Sequence, residues 1–141
     1  MCLNNWGGID HKVLEFHEYV NLFSGKSGSG KSTVMDAIQV ILYGSFSPSF
    51  LNKAADDAKN RRSVLSYLRG EQKDGSANRK DCDFCSVIAL EIEDTGTHII
   101  TCIGIAFEVR KSDSEIKKFV YFSHSGKMPE SEYLTEQGVC Y

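Results

Sequence analysis

No apolar run in the 141 residues approaches the roughly 18–20 that a membrane-crossing helix needs, so no spanning helix is expected. The opening residues, MCLNNWGGIDHK, have neither the charged start nor the apolar centre of a secretory signal, which points to a cytoplasmic setting with no membrane partner. Proline is scarce, at 2 residues, and no internal repeat or low-complexity tract interrupts the chain. With 41% hydrophobic and 25% charged residues, that is the make-up of a folded globular protein rather than a disordered one. An excess of basic charge is absent too: 16 Lys+Arg against 19 Asp+Glu give a net charge of −3, which argues against coating a nucleic acid by bulk attraction. The 5 cysteines are an odd number, better read as reduced thiols than as a disulfide framework. Cys82 and Cys85 form a C-x-x-C, but Cys2, Cys102, Cys140 and the 4 histidines supply no second pair at ligand spacing, so a structural zinc is not expected. The length suits one domain.

What is present is a phosphate-binding signature. Gly25-Lys26-Ser27-Gly28-Ser29-Gly30-Lys31-Ser32, followed by Thr33, fits G-x-x-x-x-G-K-[ST] completely. Its flanks have the matching texture. Upstream, Tyr19-Val20-Asn21-Leu22-Phe23 reads as a short buried strand entering a tight turn. Downstream, Val34, Ala37, Ile38, Ile41 and Leu42 recur at the spacing of one helix face, and Gly44 is the expected stop. In such a loop, glycines let backbone N–H groups curl inward, and the helix start adds partial positive charge, so phosphate oxygens are bound. Lys31 is expected on the β- and γ-phosphates, Ser32 on Mg²⁺ and Thr33 at the α-phosphate; the loop reads phosphates and not bases, so the base of the expected nucleotide stays open.

Hydrolysis needs a second strand ending in an acidic residue. The nearest run, Val87 to Asp94, alternates Glu91 and Glu93 with Leu90 and Ile92, the pattern of a half-exposed antiparallel strand, and is rejected for that role. Leu68-Arg69-Gly70-Glu71-Gln72 echoes an L-S-G-G-Q signature but carries Arg and Glu at two of its positions, and is set aside as chance. The segment 45–85 is expected to be a turn-rich link, a helix over about Arg61–Arg69 and an exposed loop from Glu71 to Asp81. Residues 51–80 are net +4 and the rest net −7, so any polyanion contact beyond the nucleotide is sought there, although such runs are usually solvated faces. Strands follow at 86–93, 98–110 and 117–123, with turns at Asp94–Thr97 and Lys111–Glu115, a three-stranded antiparallel meander. A short helix is expected at Glu130–Gln137. The expected organisation is a single domain: 1–44 strands, loop and helix; 45–85 helical and basic; 86–123 meander; 124–141 tail.

An α/β fold with one βα unit and a meander is an incomplete P-loop domain, because a doubly wound sheet needs several parallel strands. Here the chain resembles the N-terminal lobe of the ABC-type ATPase head of SMC-like proteins, which pairs a Walker A unit with an antiparallel subdomain. The resemblance spans Asn5-Trp6-Gly7, Leu22 to Gln39, Asn52-Lys53-Ala54-Ala55 and Arg62-Ser63-Val64-Leu65-Ser66-Tyr67-Leu68-Arg69-Gly70. Those last two runs look like the condensin-like JetC/MukB-type subunits of Wadjet anti-plasmid systems, alongside SbcC-like P-loop ATPases. The resemblance implies ATP at Gly25–Thr33, and phosphate or DNA contacts at Arg62 and Arg69. It also implies a C-terminal lobe with signature motif and Walker B, in another chain or missing, and a head-to-head dimer that moves DNA. No heptad coiled coil, signature motif or Walker B acid stands in these 141 residues, so ATPase turnover is expected of the complete head and not of this chain alone. Two competing readings are a truncated non-catalytic remnant, whose open sheet would expose apolar surface, and a small P-loop nucleotide kinase with Arg61, Arg62 and Arg69 as its lid.

Overall fold

The segments on either side of Gly7-Gly8, each with apolar ends around a polar middle, fold back on each other as β1 (Cys2–Trp6) and β2 (Ile9–Val13), with Trp6 opposite Ile9. The left-handed φ of Gly7, +57°, suits the two-residue turn that this pairing requires. The computed structural model describes residues 1–47, 51, 63–72 and 75–128. Within them follow α1 (Lys31–Tyr43), α2 (Val64–Leu68), β3 (Phe84–Glu93), β4 (Ile100–Val109) and β5 (Lys118–Ser125). The five strands form one sheet in the order β2-β1-β3-β4-β5, antiparallel at every junction.

The meander is where the alternation placed it, and both its turns are held by an aspartate. Asp94 Oδ1 accepts the N–H groups of Gly96 and Thr97 at 2.8 and 2.9 Å, and Asp113 Oδ2 accepts that of Arg110 at 2.9 Å. Period-two patterning then sorts β3 and β4 into two faces. One face carries Ile88, Ile105 and Phe107, which join Leu3 and Trp6 of β1 in the main core. The helix α1 lies over β1, β3 and β4, burying Val34, Ala37, Val40 and Ile41 against that face. Burying a valine or isoleucine side chain fully contributes about 1.5–3 kcal/mol relative to exposure. The opposite face is lined by small residues, Cys2, Ala89 and Cys102, with Phe122 and Met128 packed on them.

Three expectations change. Residues 19–23 form no strand: Tyr19, Val20 and Leu22 are 86%, 77% and 88% exposed. A strand requires a neighbouring backbone for its N–H and C=O groups, and no described strand runs beside this segment, so the expected βα unit has no β partner. Leu42 points outward at 59% exposure, and Val40 takes the buried place instead. The sheet also gains β1 as an interior strand between β2 and β3; the Gly-Gly turn that announces this hairpin is legible in the sequence. Of the helix expected at Arg61–Arg69, the described part is α2, Val64–Leu68, with Ser63 as its N-cap. Residues 52–62, and with them Asn52-Lys53-Ala54-Ala55, Arg61 and Arg62, lie outside the described residues, as does Glu130–Gln137.

Candidate phosphate-binding site

The segment Gly25–Ser32 leads directly into α1. Gly25, Gly28 and Gly30 have φ of +154°, +82° and +89°, values that side-chain-bearing residues rarely adopt. A turn inside the loop is closed by Ser29 N–H donating to Lys26 O at 3.2 Å. Gly30 is the N-cap of α1 and can offer no side-chain cap, and the first turn of the helix contains no acidic residue. The N–H groups that open the helix are therefore not taken by a side-chain cap, and the helix dipole favours an anion in front of them. The Lys31 ammonium folds back over the loop, donating to Gly25 O at 2.7 Å, Lys26 O at 2.9 Å and Ser29 Oγ at 3.3 Å. A cation already gathered on loop carbonyls, above an uncapped helix start, fits the phosphate chain of a nucleotide. Ser32 is exposed in the first turn, and Thr33 is half-buried behind it.

The loop is tied to the sheet by the only tryptophan. Trp6 is fully buried, packs against Tyr67 with ring centroids 4.7 Å apart and planes tilted by 51°, and donates from Nε1 to Thr33 O at 2.8 Å. Tyr67 in turn donates its hydroxyl to the buried Asp36 of α1 at 3.2 Å. Together these contacts fix α2 against the start of α1. They leave a cavity of about 380 Å³ lined by Gly28–Gly30 of the loop, the Gly7–Ile9 turn, Thr33, Tyr67 and the Gly70–Gln72 and Asn78 side.

Of the two arginines expected at phosphate or DNA, one is among the described residues. Arg69 does not face the loop as a free cation: its Nη2 donates to the carbonyls of Arg110, Lys111 and Asp113 at 3.2, 3.1 and 2.9 Å, strapping the β4–β5 turn to the end of α2. Carbonyl oxygens gathered at a turn are acceptors that a guanidinium can satisfy locally. Arg62 lies outside the described residues. Glu91 and Glu93 stay at the exposed end of β3, where Glu91 accepts Met128 N–H at 2.7 Å and Glu93 pairs with His98 at 3.1 Å. Among the described residues, no group of three or more His, Cys, Asp or Glu could hold a metal.

The sequence reasoning missed Arg79, placing it in an exposed basic loop. It is 6% exposed. Its Nη1 donates to Asp10 Oδ1 at 2.6 Å, its Nε to Leu68 O at 3.1 Å and its Nη2 to Gly7 O, while its carbon centre lies 5.6 Å from the Phe84 ring centroid. Burial pulls its pKa below the ordinary arginine value, and neighbouring Asp10 and then Cys82 pull it back up. No sequence pattern marks this role, because its partners are backbone carbonyls 11 and 72 residues away.

Comparison with known proteins follows the same segment. Residues 1–58 match the family model of the P-loop containing region of AAA domains. The SbcC component of the nuclease SbcCD from Staphylococcus haemolyticus (strain JCSC1435) is 33% identical over 72 residues, 48% of this chain and 6% of that protein. The chain thus spans a small fraction of that relative's length. The chain is an α/β fold whose first 58 residues are similar to the P-loop containing region of AAA domains, and about half of its length is similar to an SbcC-type protein.

Proposed function

We propose that this chain is the ATP-binding N-terminal lobe of an SMC-like, condensin-like ATPase that acts on DNA, in the subgroup of JetC/MukB-type subunits of Wadjet systems. The observation that carries the reading is the loop itself, with three glycines at positive φ, an uncapped helix start and Lys31 drawn onto the loop carbonyls. Phosphate oxygens would take over the Lys31 ammonium from Gly25 O and Lys26 O, exchanging neutral acceptors for charged ones. Ser32 would hold Mg²⁺, which supplies charge neutralisation across the β- and γ-phosphates. The cavity lined by Thr33 would take the nucleoside end, since Thr33 stands at the α-phosphate position of the loop.

The exposed Tyr19, Val20 and Leu22 support completion by a second lobe: three large apolar side chains in the stretch that runs into the phosphate loop suit a surface that a partner would cover. That lobe would bring the signature motif and the Walker B acid, two such heads would meet around ATP, and turnover belongs to the complete head. Arg62 is the DNA-contact candidate of this reading.

The test is calorimetric titration of the chain with ATP–Mg²⁺, with Lys31→Ala alongside. Binding lost in the variant at an unchanged melting temperature is expected, because the hydrogen bonds of Lys31 are made at the exposed surface. Equal ATP affinity in the two proteins would sink the assignment.

A further inference from the structure

The cavity has the phosphate loop, Gly28–Gly30, and Thr33 on one side, and away from them two walls that are distant in sequence, the β1–β2 turn at Gly7–Ile9 and the residues Tyr67, Gly70–Gln72 and Asn78. The two walls approach closely through backbone: a Cβ on Gly70 would stand 2.8 Å from Gly7 O, closer than real contacts allow, and a Cβ on Gly7 would meet Thr33 Cγ2 at 3.0 Å and Tyr67 at 3.2 Å. Contact this close needs something to hold the two segments together. The Arg79 guanidinium stands at that junction. It donates to Gly7 O on one wall and to Leu68 O on the other, and the backbone N–H of Arg79 donates to Arg69 O at 3.0 Å. The charge is answered by Asp10 from the first residues of β2, whose side chain is 81% exposed while that of Arg79 is 7% exposed. A fork of fixed N–H donors can serve three acceptors in one plane, which a lysine ammonium on a flexible stem cannot reproduce. The phosphate loop makes none of these bonds. Its link to the sheet runs separately, through Trp6 to Thr33.

We propose that Arg79 is a positioning residue for the nucleoside end of the ligand: it clamps the Gly7 turn to the chain at Leu68–Arg69 and so sets the width of the cavity on the side away from the phosphate loop, where base and ribose enter, leaving the phosphate cradle to Lys31 and the α1 start. The inference rests on the nucleotide-binding reading above, and it divides that site into two parts with separate supports.

The division makes the test. Wild type, Arg79→Lys, Asp10→Asn and Lys31→Ala are titrated with ATP and with inorganic tripolyphosphate, and binding is followed by calorimetry and by the fluorescence of Trp6, the single tryptophan. Arg79→Lys is expected to weaken ATP about tenfold, the scale of one or two lost hydrogen bonds, and to leave tripolyphosphate within about twofold. Asp10→Asn keeps an acceptor for Nη1 and removes only an exposed charge, so it tests the same split in a protein whose core is untouched, with a loss of about threefold for ATP alone. Rescue follows the same order, Asp10→Asn binding ATP more tightly than Arg79→Lys. Equal weakening of both ligands in a folded Arg79→Lys protein would overturn the proposal, since it would mean that the arginine supports the fold generally. So would ATP affinity unchanged in both variants. If wild type binds neither ligand, the nucleotide-binding reading falls first, and the two failures are thereby told apart.

Discussion

Replacing Gly104 with alanine probes the packing on which the sheet closes. Gly104 lies in β4, directly opposite Ala89 of β3 and Phe122 of β5. An added Cβ would stand 2.3 Å from Phe122 Cζ and 2.5 Å from the carbonyl oxygen of Ile88. These obstacles differ in kind. Phe122 is half-buried and can swing off, at the cost of uncovering Cys2, Ala89 and Cys102. Ile88 O belongs to a strand paired on both sides, so it moves only if the ladder moves. Overpacking of this kind costs about 1–3 kcal/mol, and removing a glycine from a strand interior returns about 0.5–1 kcal/mol. A net loss of about 1–2 kcal/mol is expected, which for a chain of this length lowers the melting temperature by roughly 3–10 °C. Thermal unfolding followed by circular dichroism measures it, and a double-mutant cycle with Phe122→Leu apportions the cost. If the ring is the main obstacle the second substitution relieves most of the loss; if Ile88 O is, the loss persists. A Gly104→Ala protein as stable as wild type would refute the steric argument altogether.

Tyr67→Phe removes the hydroxyl bound to Asp36 and keeps the ring against Trp6, so unfolding in urea should show a loss of about 1–3 kcal/mol at an unchanged slope, and an unmoved midpoint would count against that bond. The turn aspartates predict the acid limb. Asp94 is held below the ordinary carboxylate pKa by the N–H groups of Thr97 and Gly96, and Asp113 by the N–H of Arg110 and then by Lys117. A depressed folded pKa means that the unfolded chain takes up protons first as pH falls. The stabilisation is therefore complete above about pH 4 and lost as pH drops through the folded values. The double variant Asp94→Asn, Asp113→Asn should show a flatter decline in unfolding midpoint below pH 4, and an identical slope in both proteins would remove the turns from the account.

Local chemistry was enough to place much of this molecule. The glycine and lysine spacing of residues 25–32 marks the phosphate loop, the apolar spacing after it marks α1, and Gly44 marks its end in a left-handed conformation. Alternation marks β3, β4 and β5, because a period of two reflects the pleat of a single strand and needs no partner to be visible. Tertiary structure decided the rest, and the reason in each case is a partner far away in sequence. Tyr19–Phe23 has strand-forming residues but no described neighbour, so it is not a strand, while Cys2–Trp6 becomes an interior strand because β3 arrives beside it. Arg69 and Arg79 looked alike in a basic stretch. One straps the β4–β5 turn and the other clamps the walls beside the phosphate loop, according to which carbonyl oxygens the fold brought within reach.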